Sequence, residues 1–516
     1  MAGLTRPDAI VVGAGVNGLA AAVVLARAGR RVLVFERADE PGGAVRTGEV
    51  TLPGFRHDLY ATNLNLFAGS RLFAEVGAEL RRFGFDLVAS SRPFCSAFPD
   101  GRVVGVSTDS AETLASIRAV SGPDARAWQQ TADWFGRVAP HVFGLLGEPM
   151  PSLGAARALL RGATTLGRRW PLELARLALQ SSRAFVEERF ESPELHALVA
   201  SWGMHLDLPP DVGGGALFCF LETFASAAKG MVLGRGGARV LPDALAGLLA
   251  SLGGELVCGA EVDRIVVERG RATGVVLRGG ERHQAPTVIA NLTPAALGRL
   301  VDLPRSFARF RYGPGTLMVH LALDGPVPWR AAEAGGFAYV HVGPYLDDMS
   351  LAYQRALAGL LPERPTLVVG QPTVVDPSRA PAGKHVLWIQ ARVVPGRIKG
   401  DAAGELTATD WDEAKEPVSD RVLALLEEHA PGLGGLVLGR HVLSPADLER
   451  ANPNLVGGDQ LGGSHHPSQG FFLRPVPGWS RYRTPIEGLY VCGAGTWPGA
   501  GVGAGSGYLL GKRLAS

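Results

Sequence analysis

The sequence predicts an α/β fold, in which a Rossmann-type dinucleotide-binding domain is interleaved with a substrate domain built of a mixed sheet and helices. Three observations carry this expectation. The chain opens on an apolar run, a glycine turn, an Ala-rich helical stretch and a second apolar run. It closes on another glycine-rich loop leading into an apolar helix. Between these ends, apolar runs of strand length alternate with helical stretches.

The opening unit is the most informative. Residues 9–12 are apolar and suit a buried parallel strand. Gly13-Ala14-Gly15-Val16-Asn17-Gly18 follows, then a helix predicted over 19–28, closed by Gly29, and a second strand over 31–35 that ends on Glu36. In G-x-G-x-x-G the glycines serve the tight turn, the approach of backbone to a pyrophosphate, and close helix–strand packing. The helix start offers free N–H groups and a positive dipole end to phosphate. An acid at the position of Glu36 accepts hydrogen bonds from ribose hydroxyls and repels a 2′-phosphate. In Pro41-Gly42-Gly43-Ala44-Val45-Arg46-Thr47, two adjacent glycines let backbone approach a bulky planar ligand.

At the other end, 488–493 reads as a short buried strand ending in glycine. Thr496-Trp497-Pro498 leads into a loop with glycine at 499, 501, 503, 505 and 507, then a helix over 508–514. A glycine-rich loop entering a helix is an anion or dipole receptor.

The stretches G-A-G-V-N-G, E-R and P-G-G-A-V-R-T, with the C-terminal R-P-V-P-G-W-S-R-Y-R-T-P-I-E-G-L-Y-V-C-G-A-G-T-W-P-G-A-G-V, resemble the phytoene desaturase-related flavoproteins of the carotenoid desaturase and isomerase superfamily. Within it they are most similar to the branch named pyridine nucleotide-disulfide oxidoreductase domain-containing proteins. The motifs cover about the first 60 and last 50 residues, and the order of elements matches throughout. The resemblance implies a Rossmann-type FAD-binding domain and FAD as cofactor. In such proteins the G-G turn runs beside the flavin's phosphate and ring. The C-terminal helix start faces the ring edge that gains negative charge on reduction. The strand residue at the position of Val262 packs on adenine. The implied cofactor set is Gly13, Ala14, Gly15, Val16, Asn17, Gly18, Glu36 and Arg37; Gly42, Gly43, Ala44 and Arg46; and Val262, Gly493, Gly501 and Val502. Two departures stand out. The branch's name promises a redox disulfide, whereas Cys95, Cys219, Cys258 and Cys492 are far apart and form no C-x-x-C, as buried thiols of a reducing compartment would be. Relatives also carry H-P-G-G-G where this chain has Trp497-Pro498-Gly499-Ala500-Gly501, so an indole and an added methyl are expected beside the flavin.

The middle of the chain supports an interleaved layout, with 1–70, 231–300 and 466–516 in the FAD-binding domain and 71–230 and 301–465 in the substrate domain with its helical lid. A helix is predicted over 240–252 and a strand over 255–258. Alternating positions over 260–268, with runs at 273–277 and 286–290, predict a small sheet, and Asn291 begins the return crossing. Residues 71–230 read as mainly helical, and their aromatics as core. The runs 316–323, 336–342, 366–369 and 385–393 suit a mixed sheet forming a pocket floor opposite the flavin.

Charge is nearly balanced, with 51 Lys+Arg against 49 Asp+Glu, so nothing points to nucleic acid. Only 19% of residues are charged, below the ~25% usual for soluble domains. No run approaches the ~20 apolar residues needed to cross a bilayer, and the N-terminus lacks a leader pattern, so a cytoplasmic protein is expected. Segment 151–185 mixes leucines with six arginines and a single Glu in its first two helical stretches, Glu173. This pattern fits a peripheral contact with an anionic membrane, through which a lipid-like substrate is withdrawn, or simply a solvated lid helix.

The expected reaction is hydride removal from a C–H bond of an apolar small molecule, for which the protein supplies alignment and water exclusion. The electron acceptor is left open among O2, a quinone and NAD. A redox-neutral isomerase, a flavin oxygenase and a flavin-binding interaction protein are the alternatives. Amine oxidases commonly carry a lysine near flavin N5 in the strand after the adenine-contacting sheet; 312–323 has none, which counts against amine oxidation. His320, Arg474 and Tyr482 are the catalytic candidates. His465-His466 is not a metal pair, because adjacent side chains on an extended segment diverge; no metal is expected.

Overall fold

The computed structural model describes residues 6–342 and 345–516. Its centre is a parallel five-stranded sheet in the order Leu489–Val491, Thr287–Ala290, Ala9–Val12, Val32–Phe35, Glu255–Val257. Parallel strands covered on both faces are apolar throughout, and Ala9–Val12 and Val32–Phe35 are buried at every position. Side chains alternate between two cores. Val11 and Val34 face a cluster with the helices Val16–Arg27, Val240–Ser251 and Gly505–Ala515, while Ile10, Val12, Leu33 and Phe35 face Val262, Ile265 and Val275.

The two ends of the chain pack together through glycine. A Cβ at Gly507 would lie 1.8 Å from the Asn17 carbonyl oxygen, and one at Gly511 would lie 2.8 Å from Val24 Cβ. The Gly507 N–H donates to Asn17 Oδ1 at 3.1 Å.

Two expected members of the small sheet belong elsewhere. Glu255–Val257 is an edge of the parallel sheet and Thr287–Ala290 lies inside it. The small sheet is Val262–Glu268, Arg271–Leu277 and Arg282–Gln284. Its third strand, polar on an exposed edge, has no apolar alternation to betray it.

The second sheet has seven strands, ordered Val437–Leu443, Gly315–Leu323, His385–Val394, Thr366–Gly370, Tyr339–Val342, Phe94–Ala97, Val103–Val106. Neighbours are antiparallel except Tyr339–Val342 with Phe94–Ala97. Its odd-numbered positions Leu317, Val319, Leu387 and Ile389 pack on the helix Trp411–His429. The opposite face carries Trp388, Gln390 and Arg392, which share a cavity with the glycine turns of the parallel sheet. Helices between 110 and 229 close the side.

A buried ion pair ties these pieces together. Arg379 is inaccessible to solvent; its Nη1 donates to Asp58 Oδ2 at 2.5 Å and its Nη2 to the Gly234 carbonyl at 2.8 Å. Asp58 also accepts from Thr47 Oγ1, Thr62 Oγ1 and the Ala238 N–H. Removing one member of such a pair strands a charge in the interior, which costs about 3–5 kcal/mol. Arg379→Met is therefore expected to lower the urea unfolding midpoint by the equivalent of that loss, and an unchanged midpoint would contradict the role assigned to the pair.

Candidate functional site

A cleft of about 720 Å³ opens at the carboxyl ends of Ala9–Val12 and Val32–Phe35 and runs to the seven-stranded sheet. In open α/β sheets ligands collect at this edge. Gly13, Gly15, Val16 and Asn17 form one wall, with Gly42, Gly43, Ala44 and Arg46 beside them. Glu36, Arg37 and Val262 line the far side of the same end, and Gly493, Gly501 and Val502 come in from the C-terminal loop. Ala14 and Gly18 support the turn from behind. The Ala14 N–H donates to Glu36 Oε2 at 2.8 Å, and a Cβ at Gly18 would lie 2.2 Å from the Gly13 carbonyl oxygen.

Asn291 sits at the point where these turns meet. A Cβ at Gly15 would fall 2.7 Å from its amide nitrogen, and one at Gly493 2.8 Å from its amide oxygen. With the amide oxygen turned toward the glycine turn, it accepts from the N–H groups of Gly15 and Gly18, each at 3.3 Å. From the sequence Asn291 read only as a chain crossing. The signal was a lone polar residue at the end of a buried parallel strand.

The fit to a dinucleotide can be read from the turn itself. Val16–Arg27 begins at Gly15 with no capping side chain and no acid in its first turn, so its dipole end faces the cleft uncompensated. Glu36 holds both carboxylate oxygens in place, Oε2 on Ala14 and Oε1 on the Ala38 N–H at 3.0 Å. Adjacent glycines at 42 and 43, both with positive φ, bring bare backbone to the cleft, and a Cβ on Gly43 would press on the Gly15 Cα at 3.3 Å. These residues would hold the diphosphate, ribose and ring of FAD.

None of the three catalytic candidates lines the cleft. His320 lies on the cleft-side face of its strand, opposite Trp388, but the His57 ring covers it at 5.4 Å between centroids. Burial holds its pKa well below the usual histidine range. Arg474 spends its donors on backbone: Nε and Nη2 on Ala494 O at 3.1 and 2.8 Å, Nη1 on Ser464 O at 2.7 Å, and Nη2 also on Gly463 O at 3.2 Å. It staples two loops together and has no free edge for a ring carbonyl. Tyr482 adopts φ 65° and buries its ring in the core cluster that packs Val11 and Val34 on the helices, its hydroxyl unpaired among the described residues. Trp497 is also withdrawn: it is buried, donates Nε1–H to Glu148 O at 2.8 Å and stacks on Phe471, leaving Ala500 on the wall.

The other end of the cleft is formed by side chains not singled out from the sequence, on two of the expected floor strands and on the helical part at 202–222. Trp202, Phe218, Tyr339 and Trp388 are aromatic walls, and Tyr339 and Trp388 stack at 5.6 Å with rings 8° apart. Phe218 and Glu222 stand one turn apart on the helix Gly215–Lys229 and share a face. Burial pushes the Glu222 carboxyl up to about 7. Burial likewise lowers Arg392 to about 10 and keeps His205 neutral, its Nε2 3.1 Å from that of His341. The alternation W-I-Q-A-R over 388–392 was the legible sign: polar residues at every second position of an otherwise apolar central strand. Among the described residues, no lysine lines the cleft.

A parallel sheet with bare glycine turns at its carboxyl edge, opening into an aromatic chamber on a second sheet, defines an FAD-dependent oxidoreductase. The chain belongs to the flavin-containing amine oxidoreductase family, whose signature matches residues 17–515. It is 30% identical to a pyridine nucleotide-disulfide oxidoreductase domain-containing protein 2 from Rattus norvegicus, over 96% of this chain and 91% of that one. A phytoene dehydrogenase from Streptomyces griseus is 28% identical, over 96% and 92% respectively. Among solved structures, an oxidoreductase from Methanosarcina mazei has the same fold, with a TM-score of 0.62, 19% identity and coverage of 98% of this chain and all of that one. The expected resemblance is thus met, and among the described residues Cys95, Cys219, Cys258 and Cys492 are free thiols.

Proposed function

We propose that the protein removes hydride from a C–H bond of a largely apolar small molecule, in the manner of a desaturase. The observation that carries this is the continuity of the cleft: one cavity joins the glycine turns to an aromatic-walled chamber. The phytoene dehydrogenase relative, named for an apolar substrate, supports it. FAD, when bound, supplies the hydride acceptor. Desaturation also releases a proton, and Glu222 is the group placed to take it at a carboxylate oxygen. It lines the chamber and makes no hydrogen bond or ion pair among the described residues, and its pKa near 7 suits a base at neutral pH. Trp202, Phe218 and Trp388 exclude water and align the chain of the substrate.

On anaerobic mixing with apolar alkenes and polyenes, with and without a polar end group, the flavin absorbance should bleach. The rate is expected to rise with pH through about 7, as Glu222 ionises, and Glu222→Gln should slow it by about 10²–10⁴. A rate flat in pH and indifferent to that substitution would remove Glu222 from the reaction.

Substrate of this kind is met most readily at a membrane surface. No helix among the described residues is long and apolar enough to cross a membrane. The lid helices Leu153–Leu166 and Trp170–Leu179 each repeat L-x-x-x-R-x-x-L, and Leu153, Leu160, Leu172 and Leu179 are 65–76% exposed. Arg157, Arg161, Arg168 and Arg169 are exposed around them. Apolar side chains ringed by cations support peripheral contact with anionic lipid. Flotation with vesicles of anionic phospholipid should carry the protein upward, and replacing the four leucines by Ser should leave it at the bottom. Equal recovery of both would reduce these helices to a solvated lid.

A further inference from the structure

The aromatic chamber is lined by a cation with no carboxylate partner and by one buried amide donor that no protein group answers. Arg392, 6% exposed, lines the cleft without a carboxylate within 4 Å among the described residues. Its Nη2 donates to Met204 O at 3.3 Å and His205 O at 2.7 Å, and its Nη1 to Gln390 Oε1 at 2.9 Å. A guanidinium only donates, so Gln390 must turn its oxygen to Arg392 and its amide N–H outward. That N–H meets Gln460 Oε1 at 2.9 Å. The orientation of Gln460 is fixed in turn, and its Nε2 is left buried, on the cleft wall, with no acceptor.

The buried acids nearby are already engaged. Asp459 accepts from the N–H groups of Gly313, Gly463 and Leu461, and Asp207 from Tyr353 Oη, with His466 Nε2 at 3.5 Å. His205 is neutral and shares its Nε2 with His341. The chamber therefore presents a cation that no carboxylate pairs and an orphaned amide donor in the same cavity as the aromatic faces. Leaving such groups unmet in the interior is costly, and an acceptor oxygen bearing negative charge answers both.

We propose that Arg392 and Gln460 receive the carboxylate of the substrate, which is accordingly an apolar chain or ring system bearing a terminal carboxylate, with Gln390 relaying the orientation of one donor to the other. This rests on the reading of the cleft as the flavin and substrate site. It narrows the substrate class from hydrocarbons in general to apolar monocarboxylates.

The test is calorimetric titration of the FAD-loaded protein with n-alkanoates of six to eighteen carbons and, separately, with their methyl esters. The acid of best-fitting length is expected to bind about tenfold to a hundredfold more tightly than its ester, the range of one or two charge-assisted hydrogen bonds. Arg392→Gln should bring the acid-to-ester ratio to about one. Should that variant fail to retain FAD, Gln460→Leu serves, with the ratio expected to fall by about fivefold. Equal binding of acid and ester by the natural protein overturns the proposal, as does the absence of saturable binding by any acid of the series, or an undiminished ratio in a variant that keeps FAD. Those failures leave the flavoenzyme reading intact, whereas a protein that takes up no FAD overturns both.

Discussion

A side chain at Gly15, Gly18 or Gly493 would enter the space of Asn291, and one at Gly507 would strike the Asn17 carbonyl. These positions come from opposite ends of the polypeptide and from its middle. They are held in one place because three parallel strands, Ala9–Val12, Thr287–Ala290 and Leu489–Val491, lie side by side and end together. Backbone without side chains at that edge is the condition for everything else: it lets two terminal helices pack in contact and leaves peptide N–H groups facing the cleft. The amide of Asn291 then unites turns that no continuous segment could join.

From that edge the cleft changes character in stages. Near the parallel sheet its walls are backbone and the carboxylate of Glu36. In the chamber they are aromatic rings, and on the strand His385–Val394 they pass from Trp388 through Gln390 to Arg392. Strand geometry spaces these three by about 7 Å each. One strand thus carries an apolar contact, a neutral relay and a charge in succession. Glu222 faces them from the helix Gly215–Lys229, and burial there keeps its pKa near neutrality. The chemistry divides accordingly between a bare-backbone end suited to a nucleotide and a side-chain end suited to an apolar molecule.

How much of this could be read in advance follows from the range of the interactions. The unit 9–36 was legible because turn, helix and acid are neighbours in sequence, and each leaves a local mark. The C-terminal loop was legible for the same reason. The floor strands were visible as apolar runs, but not which of their side chains meet the cleft, since that depends on what covers each face. His320 shows the point: it projects from the correct face, and His57, brought from far away in sequence, sits on it. Arg474 is consumed by carbonyls of two loops that only the fold brings together. The small sheet differs from the expected one because periodicity does not say which sheet a short strand such as Glu255–Val257 or Thr287–Ala290 joins. Asn291, Glu222 and Arg392 needed burial to stand out.

The central claim is that both ends of the chain hold one FAD between them. Its most direct test is the flavin content of the purified protein and of two substitutions at opposite termini, Gly15→Val and Gly501→Val, with circular dichroism to monitor the fold. About one FAD per natural chain is expected, with loss of flavin in both variants and the dichroism spectrum retained. A natural protein that neither carries nor takes up FAD, or a Gly501→Val variant that binds it as well as the natural chain, would contradict it.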